Sequence, residues 1–129
     1  MGDEMDMEEY PRVLELKFIL IKQGFAHGKP TVRTITIQAS CDLSQLREVL
    51  HGKCSTLLEG VDPADLIVFK ASLSPSRSKA LLQDLKEGKK IATGEWNTTF
   101  FEELDPLFDI FTEQPDRRAI HLIVDCTDA

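Results

Sequence analysis

From Val13 to Lys22 (VLELKFILIK) apolar and polar positions alternate, with Leu14, Leu16, Phe18 and Leu20 on one face and Glu15 and Lys17 on the other. A period of two sends successive side chains to opposite sides of an extended chain, so this stretch predicts a half-buried β-strand. Gly24, Gly28 and Pro30 then permit or force turning. Thr31 to Gln38 (TVRTITIQ) resumes the alternation with β-branched residues, which predicts the second arm of a hairpin. The period changes after that. Asp42 can cap a helix, Gln45 three residues later completes a capping box, and Leu43, Leu46, Val49 and Leu50 recur as one apolar stripe. Gly52 is expected to close or weaken the end of this helix.

Val61-Asp62-Pro63 reads as a turn and Leu66 to Ala71 (LIVFKA) as a third strand. Ser74 to Ser78 is polar around Pro75. Lys79 to Lys90 (KALLQDLKEGKK) admits a turn or two of helix ended by Gly88, and Ala92 to Thr99 is irregular around Trp96. An apolar turn (Leu107, Phe108, Ile110, Phe111) and a break at Pro115 lead to the run Ala119 to Val124. That run is apolar on both sides with His121 as its one polar member, which suits a central strand covered on both faces. Strand, strand, helix, strand, irregular stretch and final strand give an α+β chain of β-grasp type. Its mixed sheet has the first and last strands parallel and central, with one main helix across it. The organisation expected is an acidic flexible tail over residues 1–12, one domain over 13–126 with an irregular insert at about 74–103, and a short tail over 127–129. No internal repeat is present.

Length and composition fit this layout. A chain of 129 residues with 42% apolar and 29% charged positions is one globular domain, able to bury about two-thirds of its unfolded surface without staples. The net charge of −7 is concentrated. Asp3, Glu4, Asp6, Glu8 and Glu9 lie among the first ten residues, and removing those five from 22 acids leaves 17 against 15 bases. A near-neutral body gives no electrostatic footprint for nucleic acid or anionic membrane, and no apolar run approaches membrane-spanning length. The start lacks the basic and apolar segments of a signal peptide. Cys41, Cys54 and Cys126 are odd in number and far apart, which reads as free thiols of a reducing compartment.

Candidate chemistry is thin. Cys41, His51 and Cys54 are zinc-ligand types, but a fourth ligand is lacking nearby, and Cys41 and His51 would lie about 15 Å apart along a helix. Cys41 near a helix N-terminus could be activated by the helix dipole, yet no base or orienting group accompanies it. His121 in an apolar strand reads as a hydrogen-bonded core residue rather than a base. Glu102, Glu103, Asp105 and Asp109 cluster as hydrolase acids sometimes do, and a solvated helix start explains them more simply. Lys86, Lys89 and Lys90 are interrupted by Glu87 and Gly88 and form no basic signal, and Gly24 and Gly28 fit no phosphate-binding frame. No catalytic residue, metal ligand or cofactor is expected.

Two stretches carry a family resemblance. LIVFKASL (Leu66 to Leu73) resembles the third-strand motif of the Crinkler effector N-terminal domain, written L-x-L-F-L-A-K in filamentous pathogens and L-x-L-W-K in fungal members. LDPLFDIFTEQPDRRAIHLIVDC (Leu104 to Cys126) is similar to the ending of the fungal domain, and the resemblance spans about Val13 to Asp125. Phe69 stands in place of the fungal tryptophan, Phe69-Lys70-Ala71 retains only part of L-F-L-A-K, and Ala92 to Glu103 is longer than the pattern. The resemblance implies a ubiquitin-like, non-catalytic header of a secreted effector, used in trafficking, translocation or host targeting, with the host nucleus as a destination and effector activity in other domains. It singles out Leu66, Val68, Phe69, Lys70 and Ala71 as binding residues. Their plainer reading is a core strand with Lys70 pointing outward as the contact point. The absence of a Gly-Gly pair after the last strand argues against conjugation. The expected partners are proteins, with no nucleic acid bound and no membrane inserted by this domain. The alternative is a cytoplasmic ubiquitin-like adaptor or scaffold with no secretory role.

Overall fold

The alternating stretch is strand β1 (Val13–Lys22), the longest in the sheet. A computed structural model describes residues 13–126; the tails expected over 1–12 and 127–129 lie outside the described residues. The return arm of the hairpin is split into β2 (Phe25–Ala26) and β3 (Arg33–Gln38), both antiparallel to β1, with Lys22 opposite Phe25 and Phe18 opposite Arg33. Gly24 allows the close approach at the turn. Its φ is +85°, and a Cβ there would sit 2.6 Å from the Lys90 side chain and 2.9 Å from the Ile91 carbonyl oxygen.

Helix α1 (Leu43–Lys53) starts as its sequence requires. Asp42 accepts the Gln45 N–H while the Gln45 side chain accepts the Asp42 N–H, and Leu43, Leu46 and Leu50 are buried. Gly52 does not close it. The helix runs through to Lys53, and turns continue to Gly60, whose φ of +83° is the left-handed reversal.

The remaining elements are β4 (Ile67–Ala71), helix α2 (Pro75–Lys86), β5 (Thr98–Phe100), the single turn α3 (Leu107–Ile110) and β6 (Leu122–Asp125). The sheet order is β2-β1-β6-β4-β5, with β3 also on β1. β6 runs parallel to β1, pairing Phe18 with Leu122 through Ile21 with Asp125, and antiparallel to β4. This is the expected mixed α+β sheet with first and last strands parallel and central, consistent with a ubiquitin-like β-grasp.

Alternation along β1, β4 and β6 divides the core in two. Leu14, Leu16, Phe18, Val68, Leu122 and Val124 face α1 and the Leu107 turn. Ile19, Ile21, Phe69 and Ile123 face Leu81, Leu85 and Trp96 on the other side. The second layer is the main departure from expectation. Where one or two helical turns were predicted after Ser78, α2 runs for 12 residues. Pro75 opens it at the position where a missing N–H costs nothing, and the Ser74 hydroxyl accepts the Arg77 N–H. Its apolar stripe is narrow (Leu81, Leu85) and hidden among charged neighbours. Burial of each leucine contributes on the order of 1.5–3 kcal/mol before entropy.

α2 is therefore part of the core rather than a loose insert. Leu81→Ala is expected to lower unfolding free energy by about 2–5 kcal/mol in urea titration, as a cavity under a covered sheet does. A loss below about 0.5 kcal/mol would mean α2 is not seated on the sheet.

Candidate functional site

The third-strand motif occupies β4, second from the sheet edge. On one side Val68, Phe69 and Lys70 pair with Val124, Ile123 and Leu122; on the other, Phe69, Lys70 and Ala71 pair with Phe100, Thr99 and Thr98 of β5. Both backbone edges are thus in use. Leu66 and Val68 are buried toward α1, Phe69 and Ala71 toward α2, and of the five motif residues only Lys70 keeps appreciable exposure. Even Lys70 is engaged. Its ammonium lies 5.4 Å from the centre of the Phe111 ring and donates to the Ile110 carbonyl at 3.4 Å, so it clasps the end of α3. It opens onto a groove of about 380 Å³ shared with Ser72, Leu73 and Glu113.

Among the described residues the two most exposed large apolar side chains lie one strand further out. The Phe100 side chain on β5 is 76% exposed, resting on Phe69 with ring centres 5.0 Å apart, and Leu104 just beyond is 87% exposed. Phe101 turns inward against Phe111, as alternation requires. This stretch lies within the expected irregular insert, and the adjacent Phe100-Phe101 pair is its one in-and-out signal.

The histidines hold backbone. His27 Nε2 donates to the Leu57 carbonyl at 2.9 Å, and His51 Nε2 reaches the carbonyls of Leu58 and Val61 at 3.1 and 2.7 Å. His121, 3% exposed, accepts the Lys17 N–H on Nδ1 at 2.9 Å and donates from Nε2 to the Asp116 carbonyl at 2.6 Å. Burial pushes its pKa below the ordinary 6.5, against the opposing pull of Asp116. Gln114, which the sequence did not flag, matches it. Its amide accepts the Glu15 N–H at 2.9 Å and donates to the Glu15 carbonyl at 2.8 Å.

Cys54 and Cys126 are buried with raised thiol pKa values, in each case chiefly through desolvation, and all three cysteines are free. Among the described residues no group of three or more His, Cys, Asp or Glu is placed to hold a metal ion. Glu102, Glu103, Asp105 and Asp109 are all exposed, with Glu103 3.1 Å from Arg47, so they form a solvated rim. Lys89 pairs with Glu87 and Asp84 in the turn after α2. No described helix is long and apolar enough to cross a membrane.

This is a two-layered sheet with a short, apolar-tipped edge strand, and its sequence from 24 to 125 matches the Crinkler effector protein N-terminal domain. The chain belongs to that family. No curated protein and no solved structure matches it. In this Crinkler domain the matched span begins at the turn after β1 and closes on the last residue of β6. It includes the whole Leu66–Leu73 motif and all but the final residue of the closing block, whereas the resemblance was expected to begin at Val13.

Two outcomes follow from the Gln114 and His121 bonds. Gln114→Ala leaves the Glu15 amide without its partner and is expected to cost about 1–3 kcal/mol in chemical denaturation. The His121 pKa is lower folded than unfolded, so the unfolded chain binds the extra proton between those values. Stability is full above about pH 6.5 and declines as pH falls through and below it. The wild type should lose more stability between about pH 7.5 and 5.5 than His121→Gln does, and equal losses would refute this.

Proposed function

We propose that this Crinkler domain is a non-catalytic, ubiquitin-like header of a secreted, fungal-type effector. It acts by touching proteins during trafficking, translocation or host targeting, with the host cell, including its nucleus, as the place of action. The family match supports the effector assignment, and the β-grasp layout supports a scaffold that presents a surface. The observation that carries the contact reading is the edge of the sheet. Among the described strands β5 pairs only with β4, and Phe100 and Leu104 stand out from it. A three-residue edge with a free backbone side can accept an extended segment of another protein, with the two side chains as apolar anchors.

In this reading Leu66, Val68, Phe69 and Ala71 act from within, by holding β5 in place, and Lys70 lines the adjacent groove. A cytoplasmic ubiquitin-like adaptor with no secretory role is the second reading. It is favoured by three unpaired cysteines, two of them buried, which suit a reducing compartment.

The test is affinity capture from host-cell extract with the wild-type chain, Phe100→Asp and Lys70→Glu. Phe100→Asp is expected to cost under about 1 kcal/mol of stability, because its ring is mostly in solvent, while removing the proteins captured by the wild type. Lys70→Glu should weaken capture less. Undiminished capture by a folded Phe100→Asp variant would remove the β5 edge from the contact surface.

A further inference from the structure

A second surface lies on the opposite half of the molecule, where α2 stops covering the sheet. α2 seals β6 and the far end of β1, but over the paired stretch of β1 and β3 no helix of the described residues covers the same sheet face. Between the flank of α2 and that open face is a cleft of about 250 Å³. Its floor is apolar, made by Val32, Leu82, Ala119 and Ile120, and its rim carries Lys17, Lys79 and Arg118. Among the described residues no carboxylate lines it. Lys17 is oriented by donation to Thr34 Oγ1 at 3.1 Å.

The charges around the rim do not cancel. Glu15 serves both Lys17 at 3.7 Å and Arg117 at 3.6 Å, and Asp116 pairs with Arg118 at 3.3 Å. Among the described residues Lys79 is in no ion pair. In a body that is slightly acidic overall, this is a local positive surplus around an apolar pit. The walls are firm, since Ile120 is fixed by its N–H donating to the buried Ser78 hydroxyl at 2.8 Å and Ala119 by its bond to Asp116.

We propose that this cleft is a docking site for an acidic peptide segment of a partner protein, in which one apolar side chain is flanked by carboxylates. The volume admits about one large side chain, smaller than the pockets that hold whole drug-sized molecules. The apolar side chain seats on Leu82 and Ile120. The flanking carboxylates meet Lys79 and Lys17, and Arg118 exchanges part of its bond with Asp116 for the incoming group. Such rim charges act on association rate and on choice of partner and are screened by salt, whereas the seated side chain sets dissociation. The proposal stands apart from the β5 edge and does not depend on a secretory role. The first ten residues of this chain contain similar chemistry, with Asp6, Glu8 and Glu9 around Met7 and Tyr10.

The test is fluorescence anisotropy of the full chain with a labelled peptide Glu-Asp-Phe-Asp-Glu, beside its Lys-Arg-Phe-Arg-Lys counterpart. Saturable binding of the acidic peptide alone is expected, weakened about tenfold by Lys79→Glu, by Leu82→Ser, and by raising salt from about 50 to about 300 mM. Lys53→Glu, the same charge change on α1 across the sheet, should leave it unchanged. Binding that ignores Lys79→Glu and Leu82→Ser, or that falls equally with Lys53→Glu, would overturn the site. So would no binding at all. Binding that appears only after Asp3, Glu4, Asp6, Glu8 and Glu9 are changed to their amides would overturn an external partner and assign the cleft to the chain's own acidic segment.

Discussion

Parallel pairing of a ten-residue strand with a four-residue one leaves a gap in the ladder. β1 is matched by β3 on one side from Val13 to Phe18, but β6 reaches it on the other side only from Phe18 to Ile21. Toward the start of β1 the Glu15 and Lys17 amides would face β6 with no strand to bond. Buried backbone groups without partners cost about 1–3 kcal/mol each, enough to unseat a central strand in a domain of ordinary stability. The chain closes the gap with side chains. The Gln114 amide imitates a peptide group and pairs with both the N–H and the C=O of Glu15. One residue pair further on, His121 takes the Lys17 N–H on its ring while its backbone N–H returns to the Lys17 carbonyl.

That solution explains the composition of the segment before β6. Pro115 has no N–H to offer a ladder, so a strand could not continue through it. With the neighbouring side chain doing the pairing, no strand is needed there. The same logic limits the chemistry of His121. A ring nitrogen that must accept a backbone N–H is needed unprotonated, and burial, which lowers the pKa, favours that state. His27 and His51 tie the loop after α1 in a comparable way. Each of the three histidines holds backbone, and in each case the partners are main-chain atoms.

How much of this could be read in advance depends on whether the signal was local. The alternation of Leu14, Leu16, Phe18 and Leu20, the Asp42–Gln45 box and the two-sided apolar run at Ala119 to Val124 are periodic or short-range features, and they located β1, α1 and β6 and the parallel pairing between the outer two. The two-sided run in particular required something on the second face. The helix that supplies it was under-read because Leu81 and Leu85 sit among lysines and a Pro-Ser-Arg-Ser start that looks like a loop. β5 was missed for a different reason, since three residues cannot establish a period. Gln114 and Ser78 had no sequence signal at all. Their roles come from meeting Glu15 and Ile120, 99 and 42 positions away.

The two layers also decide which parts of the sheet stay exposed. In a sheet covered on one face, the bare face is the obvious contact surface, and a motif on a central strand could present alternate side chains there. Here α2 occupies that face over β4 and β6, and β5 occupies the outer edge of β4. Of the five residues that the resemblance singles out, Leu66, Val68, Phe69 and Ala71 are buried and only Lys70 keeps appreciable exposure. Their effect passes through what they support. The Phe69 ring carries the ring of Phe100, and the Lys70 stem and ammonium hold Phe111 and the end of α3 beneath Phe101. A change at either position would alter the pose of β5 and of the Phe100–Leu104 rim before it altered any contact of its own. Loss of function from such a change would then resemble loss of a binding residue while having a packing cause. Stability and the exposed edge separate the two, since a packing change moves both and a contact change moves neither.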